Sequence, residues 1–397
     1  MTIRSILSKV VPQRLKKIWR FKHSSVYSII ANPKEVFRKV YHIKDASWEH
    51  VHIPEAYQLI KEWENYSYSP AQDILEIENA IVRTKDDVII IGDKCVWDKF
   101  YFSIFSHMIP FDNSLLEYNK SEVRVRTPKE IVEVGGVCVS LFGVHSAVWA
   151  HFIIQFLPKL YYAIEAGILD KDVSILMPDY TDDNIRELIE DALRPYPKVK
   201  KIQCVADYRV AYKCEKLMYI PTASISTNHS DYILPYDVVV PQKVVDILKK
   251  YIVEPRVYIE KAQKDTPKKI YLVRRGTHRG LTNYEEVEAY FTKQGFTLIE
   301  PHKMTMQQKA DLYSQAEIIA GPASGAWSNV IFCKNAKALL LNTMSRTISP
   351  YIYYLFQIGQ VKGLQVTGWD ESTSSIHSDF SIPVEKIDAA YKQLVNE

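Results

Sequence analysis

The clearest pattern in the chain is an alternation of short apolar runs with amphipathic stretches over its last third. Apolar runs bounded by turn residues predict strands at 269–273, 297–299, 318–320, 338–341 and 363–366. Helical spacing of apolar residues predicts helices at 283–294, 305–316, 324–332, 351–357 and 384–395. Repeated strand–helix units of this length predict a parallel sheet covered by helices.

The first two thirds of the chain show the same alternation less regularly. Strands are predicted at 88–91, 123–125, 131–134, 138–140, 174–177, 201–205 and 217–220, and helices at 182–193 and 241–251. A long amphipathic pattern over 146–167 predicts a helix that is kinked at Pro158. Residues 45–75 are predicted to be helix or loop, and the polar stretch 261–267 a surface loop near a domain boundary. Together these patterns predict two α/β halves with a cleft between them.

Composition narrows the class of protein without changing this architecture. A chain of 397 residues corresponds to two or three domains. Hydrophobic residues make up 47% and charged residues 24%, which excludes disordered, collagen-like and coiled-coil proteins. The five cysteines include no Cys-x-x-Cys pair, so we expect no zinc site or disulfide framework, and a reducing cytosol is the default. No apolar run of about 18 residues predicts a membrane span, and no signal peptide is expected.

Positive charge is concentrated at the amino terminus. Residues 1–44 contain eleven Lys or Arg against one acid, Glu35, a net charge of +10, whereas the whole chain carries only +3. Large apolar residues such as Trp19 and Phe21 are interleaved with these cations, which predicts a basic amphipathic helical arm on an anionic membrane surface. The alternative is a solvated helix packed on its own domain. Nucleic acid is not expected as a partner, because the rest of the chain has no basic excess.

Cationic residues follow the first predicted strand of the last third. In open α/β sheets, ligands bind outside the carboxyl ends of the strands. Arg274 and Arg275 come directly after Val273, and Arg279 follows shortly afterwards. Arginines at such an edge suit bidentate binding of a diphosphate, and Asn283 can cap the next helix. The alternative interpretation is an Arg-rich surface turn.

A run of small residues, 321–329, follows the predicted strand at 318–320 and begins a helix. Small side chains allow a ligand to approach the backbone, and the free N–H groups and dipole of a helix start attract phosphate. The run is neither Gly-x-Gly-x-x-Gly nor a P-loop. A simple turn is the alternative, but arginines on a neighbouring strand favour a site for an anion.

The start of the long helical pattern at 146–167 is a third candidate. His151 lies there among apolar and aromatic residues, with His145 and Trp149 before it and Gln155 after it. The functional interpretation is a general base or a polar contact at the cleft between the two halves. The alternative is a core histidine that is hydrogen-bonded to the backbone.

One acidic pair has the Asp-x-Asp form that binds a metal–diphosphate complex in some enzymes. Asp170 and Asp172 precede the predicted strand at 174–177, so they lie at the wrong end of the sheet for a ligand site. A solvated turn explains them better, and no other acidic pair has the form of a metal site. We therefore expect no metal.

The motifs resemble, in order, those of glycosyltransferase family 61, whose bacterial members are often described as capsular polysaccharide biosynthesis proteins. His151-Phe152 through Leu157-Pro158-Lys159-Leu160 resembles the family's His-x(5)-Leu-Pro-x-Leu helix. Arg274, Arg279 and Asn283 resemble its Arg…Arg-x-x-x-Asn-Glu stretch, although Tyr284 separates Asn283 from Glu285.

The later motifs of the last third continue this resemblance. Glu300-Pro301 ends the next strand, and Gln308 stands at the glutamine of the family's Leu-Ser-x-x-Gln step. Residues 321–332 resemble its Gly-x-x-Gly-Ala-x-x-x-Asn-x-x-Phe segment. Here Ala323 replaces a frequent His, and Ser324-Gly325 replaces the usual Gly-Ala. The resemblance covers about residues 130–345.

The resemblance implies a GT-B-type α/β enzyme in which two Rossmann-like domains face each other across a cleft. The predicted segments are a basic arm at 1–44, an acceptor-side domain at 45–255, a nucleotide-sugar domain at 256–382 and a C-terminal helix at 383–397. The implied donor-binding residues are Arg274, Arg279, Asn283, Glu300, Gln308, Ser324, Gly325, Ala326 and Asn329. The implied acceptor contacts are Trp149, Gln155 and His145. His151 is the predicted catalytic base, with Glu133 or His145 as the next candidates.

The implied reaction is an inverting transfer of a sugar from a nucleotide sugar to a saccharide or lipid-linked saccharide. Cations and a helix dipole would take the place of a metal, so we expect neither a metal nor a cofactor. The expected location is the cytoplasmic face of the cell membrane, where the product would be a surface polysaccharide. A pyruvyl or phosphoryl transferase on the same scaffold, and an inactive membrane-docked scaffold, are the alternatives.

Overall fold

A computed structural model of the chain describes residues 23–51, 65–97, 115–119, 121–179, 182–226, 238–257, 266–276, 280–343, 350–370 and 378–396. The strands in chain order are β1 (Ser24–Ile29), β2 (Arg38–Lys44), β3 (Ser47–Val51), β4 (Asn65–Ser69), β5 (Gln72–Arg83), β6 (Val88–Ile91), β7 (Lys94–Trp97), β8 (Leu115–Tyr118), β9 (Glu122–Arg126), β10 (Glu130–Ser140), β11 (Val173–Pro178), β12 (Lys200–Cys204), β13 (Val210–Tyr219), β14 (Ile225–Ser226), β15 (Val238–Val239), β16 (Lys269–Leu272), β17 (Thr297–Ile299), β18 (Ile318–Pro322), β19 (Lys337–Thr343), β20 (Lys362–Asp370) and β21 (Phe380–Ser381).

The described residues contain nine α-helices. The α-helices are α1 (Pro33–Val36), α2 (Trp149–His151), α3 (Leu157–Glu165), α4 (Asp183–Leu193), α5 (Gln242–Leu248), α6 (Tyr284–Lys293), α7 (Met306–Gln315), α8 (Pro350–Ile358) and α9 (Val384–Asn396). Phe152–Phe156 and Lys249–Val253 are π-helical, and Ile168–Asp170, Pro301–Lys303 and Gly325–Phe332 are 3-10 helices. The helix predicted at 324–332 is therefore present, but with the tighter 3-10 winding.

The amino-terminal half forms a mixed sheet of eleven strands within the described residues. Its order is β12-β11-β10-β13-β5-β6-β7-β1-β9-β8, and β2 also pairs with β5. β12, β11, β10 and β13 run parallel, whereas β5 is antiparallel to β13. The carboxyl ends of β10 and β11 lie at one edge of the sheet, and the chain continues from that edge into α2 and α4.

The described part of the basic arm is mostly strand, where a helix was predicted, and its helical segment is the four-residue α1. β1 pairs with β7 and β9, and β2 pairs with β5, so both strands belong to the sheet. The expectation of helix or loop at 45–75 was also wrong where the structure describes this stretch, because β3 pairs with β4 and β5 begins at Gln72, whereas residues 52–64 lie outside the described residues. Interleaved basic and apolar residues fit both periods, and pairing with distant strands decided between them. Residues 1–22 and most of 261–267 lie outside the described residues.

Charged side chains attach the second strand of the arm to the sheet. The carboxylate of Asp73 on β5 forms ion pairs with Lys34 at 2.6 Å and Lys39 at 2.9 Å, and Nδ1 of His42 lies 2.7 Å from it. Burial alone would raise the pKa of Asp73, but the hydrogen bonds from these three side chains outweigh it and lower the pKa to about 2. The carboxylate is therefore ionised at neutral pH, and its partners are held on the sheet.

The carboxyl-terminal half confirms the predicted parallel sheet. Its order is β17-β16-β18-β19-β20-β21, in which every pair is parallel except the short antiparallel β20–β21 contact. Numbered from β16, the first five strands have the order 2-1-3-4-5 of a doubly wound sheet. In this order the connection from β16 and the connection from β18 lie on opposite faces of the sheet. Ligands of doubly wound sheets bind at such a switch point, beyond the carboxyl ends of the two strands.

One hydrophobic core cluster contains residues from both halves. Val139, Phe152 and Leu160 of the first half belong to the same cluster as Leu272 and Trp327 of the second half. Fully burying a large apolar side chain contributes about 1.5–3 kcal/mol. The start of the long helical pattern is therefore packed against the carboxyl-terminal sheet, which brings the third candidate region close to the second.

Two further findings concern the cysteines and the length of the helices. All five cysteines are buried and free. No helix in the described ranges has both the length and the apolar character needed to cross a bilayer.

Candidate functional site

The two candidate regions of the last third are neighbours in the structure. β16 pairs in parallel with β18, with Tyr271 opposite Ala320. The chain leaves β16 through Val273 and Arg274, and it leaves β18 through Ala323 and Ser324. Nη1 of Arg274 donates a hydrogen bond of 3.4 Å to the carbonyl oxygen of Ala323. The prediction that Arg274 and the small-residue run meet at one edge of the sheet is therefore confirmed.

Gly321 allows this close approach of the two strands. Its φ of +148° is one that residues with a side chain rarely adopt. A Cβ atom there would lie 2.7 Å from the carbonyl oxygen of Leu272 and 2.9 Å from its Cβ. The backbone of β16 occupies that space, so the glycine is required by the packing of the two strands and by its conformation.

The start of the 3-10 helix Gly325–Phe332 offers unpaired donors. Within the described residues, the N–H groups of Ser324, Gly325 and Ala326 make no backbone hydrogen bond, as is usual at a helix start. These three residues are partly exposed, whereas the rest of the helix from Trp327 is buried. Nε1 of Trp327 donates to the carbonyl oxygen of Pro322 at 3.0 Å, and Nδ2 of Asn329 donates to that of Ala326 at 2.9 Å. The loop is thus held by its own buried residues, while the residues that carry the unpaired N–H groups remain partly exposed.

The other predicted donor residues have structural partners or lie outside the description. Arg279 is among the undescribed residues 277–279. Nδ2 of Asn283 donates to the carbonyl oxygen of Ile382 at 2.9 Å, and its Oδ1 accepts from the N–H of Ile382, so Asn283 joins the start of α6 to the strand before α9. Gln308 forms a capping box with Thr305 at the start of α7.

The neighbouring charged residues are paired with each other. Glu300 is paired with Lys303, whose hydrogen bond lowers the pKa of the Glu300 carboxyl. Arg275, exposed next to Arg274, is paired with the buried Glu288 on α6. These two ion pairs lie near Arg274 at the carboxyl edge of the sheet.

His151 lies in a buried hydrogen-bonded network at the start of the long helix. It is 8% exposed, and its Nδ1 lies 3.0 Å from Oε1 of Gln155. Nε2 of Gln155 donates in turn to the carbonyl oxygen of Ser224 at 3.2 Å. The ring of His145, a residue with a φ of +69°, lies 4.9 Å from the His151 ring. The structure therefore brings His145, His151 and Gln155 together, as the sequence predicted.

Pro158 explains the local distortion that follows His151. Proline has no N–H group, so the carbonyl oxygen of Ile154 loses its usual helical partner. The Oγ of Ser224 donates to that oxygen at 2.6 Å. The helix widens to a π-helix over Phe152–Phe156, in which the N–H of Leu157 reaches the carbonyl oxygen of Phe152. The predicted kink is thus a π-turn, a feature that is frequent at functional sites.

Lys309 is a candidate that the sequence analysis missed. It is 2% exposed on α7, and its Nζ lies 4.9 Å from the centre of the Trp149 ring. Burial lowers its pKa to about 8, partly offset by the more distant Asp182 and Glu187. The signal was present in the sequence, because a lysine stands at a core-facing position between Met306 and Tyr313 on the apolar face of the helix.

Glu133 and the Asp-x-Asp pair lie away from the carboxyl edges. Glu133 is exposed in the first half of β10 and is paired with Lys213 at 3.1 Å. Asp170 and Asp172 precede β11, at its amino end, as the sequence analysis predicted. No group of three or more potential metal ligands occurs within the described ranges.

The fold and the site define a class of protein. It is an α/β protein whose doubly wound carboxyl-terminal sheet has an arginine and a small-residue helix start at its switch point, a combination suited to a phosphate-bearing ligand. The family model described as Glycosyltransferase 61 matches residues 149–340. Over these residues the chain is similar to glycosyltransferase family 61. A comparison with curated proteins gives no match.

The matched region contains the two parts of the candidate site. It begins at Trp149, the first residue of α2, and ends within β19. It therefore includes His151, Arg274 and the run at 321–329. The resemblance identified from the sequence motifs covered about the same part of the chain.

Proposed function

We propose that this protein is an inverting, metal-independent glycosyltransferase of the GT-B type. It transfers a sugar from a nucleotide sugar to a saccharide or lipid-linked saccharide during the synthesis of a bacterial surface polysaccharide, such as a capsule. The observation that carries the proposal is the contact of Arg274 with the small-residue loop at the β16–β18 switch point. The family match supports the sugar chemistry.

The donor diphosphate is proposed to bind between Arg274 and the N–H groups of Ser324, Gly325 and Ala326. When the glycosidic bond to the donor breaks, negative charge develops on the leaving diphosphate. A guanidinium and the positive end of a helix stabilise that charge without a metal. Arg279, Asn283, Glu300, Gln308 and Asn329 are proposed as further parts of the donor site.

His151 is proposed to act as the base that takes the proton of the acceptor hydroxyl. An inverting displacement needs such a base on the side of the sugar opposite to the leaving group. His151 belongs to the amino-terminal half, whereas Arg274 belongs to the carboxyl-terminal half, in agreement with this requirement. Gln155 and His145 contact His151, Trp149 lies two residues before it in the chain, and all three are proposed to contact the acceptor.

The acceptor and the basic arm suggest where the reaction takes place. We expect the protein at the cytoplasmic face of the membrane, where a lipid-linked acceptor is presented. Residues 1–22 contain seven Lys or Arg and no acid, and each basic residue near an anionic surface contributes about 1 kcal/mol of binding. The arm therefore has enough charge for reversible attachment.

The donor site is tested by thermal unfolding with a panel of nucleotide sugars. A donor at about 100 times its dissociation constant stabilises the native state by about 2.7 kcal/mol. Arg274→Ala is expected to weaken binding of the active donor about 10- to 150-fold, because one bidentate charged contact contributes about 1.5–3 kcal/mol. The control is Arg194→Ala, whose side chain is 78% exposed.

Turnover measurements complete this test. Transfer from the identified donor is expected to continue in EDTA. If Arg274→Ala binds the donor as tightly as the unaltered protein does, the diphosphate does not bind at this site. Turnover of phosphoenolpyruvate, in place of any nucleotide sugar, would favour the pyruvyl transferase alternative.

A further inference from the structure

Two hydrogen-bond donors meet at the boundary of the two halves without an acceptor. Lys309 is 2% exposed, and within the described residues its ammonium group has neither a hydrogen bond nor an ion pair. The buried Nε1 of Trp149 likewise has no acceptor there. The Nζ of Lys309 lies over the Trp149 ring, 4.9 Å from its centre.

The position of this pair links it to the candidate donor site. Trp149 begins α2 beyond the carboxyl end of β10, and α7 follows the carboxyl end of β17. Tyr313, one turn after Lys309 on the same face of α7, donates from its Oη to the carbonyl oxygen of Ala326 at 3.4 Å. Ala326 and Trp149 both pack on the shared core cluster. The pair therefore lies beside the 3-10 helix Gly325–Phe332, which both α2 and α7 contact.

A buried cation without a partner is unfavourable unless something compensates its charge. The face of an indole ring attracts a cation, but more weakly than an anion does. Asp182, which caps the start of the neighbouring α4, and Glu187 on α4 act on Lys309 through space without forming an ion pair. The carboxylate of Glu187 instead accepts the N–H of Met306 at 3.2 Å. A negatively charged oxygen between Lys309 and Trp149 would satisfy both donors.

We propose that the Lys309 ammonium and the Trp149 indole N–H together bind an oxyanion of a substrate, a phosphate or a carboxylate. This proposal rests on the proposed function, because it assigns a further contact to the same cleft. The oxyanion belongs either to the donor diphosphate or to an acidic group of the acceptor. The chemistry of recognition is the same in both cases, and the experiment below separates them.

The test is calorimetric titration of the full chain with inorganic pyrophosphate. Lys309→Met removes the charge while keeping a long apolar side chain, and Trp149→Phe removes the N–H while keeping an aromatic ring. Each variant is expected to lower the affinity for pyrophosphate at least tenfold. Lys334→Met, at an exposed lysine after the 3-10 helix, is the control and is expected to bind as the unaltered protein does. Thermal unfolding verifies that each variant is folded.

The effect of Arg274→Ala on pyrophosphate affinity shows which substrate carries the oxyanion. One pyrophosphate site that is weakened by both Arg274→Ala and Lys309→Met identifies the donor diphosphate. A Lys309-dependent site that persists in Arg274→Ala identifies an acidic acceptor group. Affinity within twofold of the unaltered protein in both Lys309→Met and Trp149→Phe overturns the proposal, as does a complete absence of pyrophosphate binding.

This experiment separates the inference from the proposed function. If nucleotide sugars are turned over but pyrophosphate binding does not depend on Lys309, the inference fails and the proposed function stands. If pyrophosphate binding depends on Lys309 but no nucleotide sugar is turned over, the proposed function fails and the oxyanion site stands.

Discussion

At the scale of single residues, the candidate site consists of polar side chains that the fold has buried. His151 is 8% exposed and Lys309 is 2% exposed, although side chains of these two types are usually less buried. His151 is held by Gln155, which is itself fixed by Ser224. Lys309 lies against Trp149. Burying a polar or charged side chain costs free energy, so such a residue is informative to change.

We expect His151→Ala to lower glycosyl transfer roughly 10²- to 10⁴-fold, because the acceptor hydroxyl would lose its base. Donor affinity and the melting temperature should change little. His302→Ala, at an exposed histidine before α7, is the control. Steady-state kinetics and thermal unfolding provide the measurements. If His151 is purely structural, its replacement lowers stability, and turnover falls only in proportion to the folded fraction. A decrease in turnover of less than about tenfold would assign the role of base to His145.

We expect Lys309→Met to stabilise the protein at pH 7 by up to about 3 kcal/mol, because the pKa of Lys309 falls from about 10.5 in the unfolded chain to about 8 in the native state. Below pH 8 both states are protonated, and the native state bears the full cost of the buried charge. Between pH 8 and 10.5 the unfolded chain binds more protons, so the unaltered protein gains stability relative to the variant.

The measurement for Lys309 is urea unfolding of both proteins at pH 7 and pH 10. The difference in the free energy of unfolding should shrink as the pH rises. A variant that is less stable at pH 7 would mean that Lys309 makes a stabilising contact, contrary to this expectation.

At the scale of elements, two local irregularities build the site. The π-turn after His151 exists because Pro158 withholds an N–H group and Ser224 takes the freed carbonyl oxygen of Ile154. The close pairing of β16 and β18 exists because Gly321 lacks a Cβ. Each irregularity is caused by one residue, and each brings groups from distant parts of the chain together.

We expect Gly321→Ala to lower the free energy of unfolding by at least about 1–3 kcal/mol, because its Cβ would overlap the backbone of Leu272 and its φ is unfavourable for alanine. Gly325→Ala is the matched control for stability, since its Cβ would meet no atom within 4 Å. Chemical denaturation of both variants provides the comparison. Equal stability of the two would show that β16 and β18 can separate without cost.

At the scale of the whole molecule, the two halves share a core and the basic arm divides into two parts. Residues from 23 onwards enter the sheet, where Lys34, Lys39 and His42 are paired with Asp73. The charges of Lys34 and Lys39 are therefore already compensated. The seven cations of residues 1–22 are therefore the ones that we expect to contribute to attachment at an anionic membrane.

Deletion of residues 1–22 is expected to abolish binding to vesicles that contain anionic lipid, while donor turnover with a soluble acceptor continues. Co-sedimentation with anionic and with neutral vesicles provides the measurement. The deletion ends before β1, so the sheet keeps every strand that the structure describes. Equal binding of the shortened and the full chain to anionic vesicles would contradict a role of the arm.

Local sequence determined much of the carboxyl-terminal half. Apolar runs and helical periods predicted its strands and helices close to their observed positions, because parallel strands and their covering helices are buried and strongly patterned. The positions of Arg274 and the 321–329 run at the ends of two strands also followed from this pattern. The sequence by itself further predicted that His145, His151 and Gln155 lie together, since they are close in the chain.

Tertiary structure decided what depends on contacts between distant segments. The strands at 24–29 and 38–44 were mistaken for a helical arm, because basic and apolar residues alternate there in a way that fits both periods, and pairing with β5, β7 and β9 settled the outcome. The roles of Asn283 and Gln308 in holding helix starts, the reach of Ser224 to Ile154 and the burial of Lys309 against Trp149 are of the same kind. The local sequence encodes the period of an element, but the partner of a buried polar group is fixed only when the sheets and helices have packed.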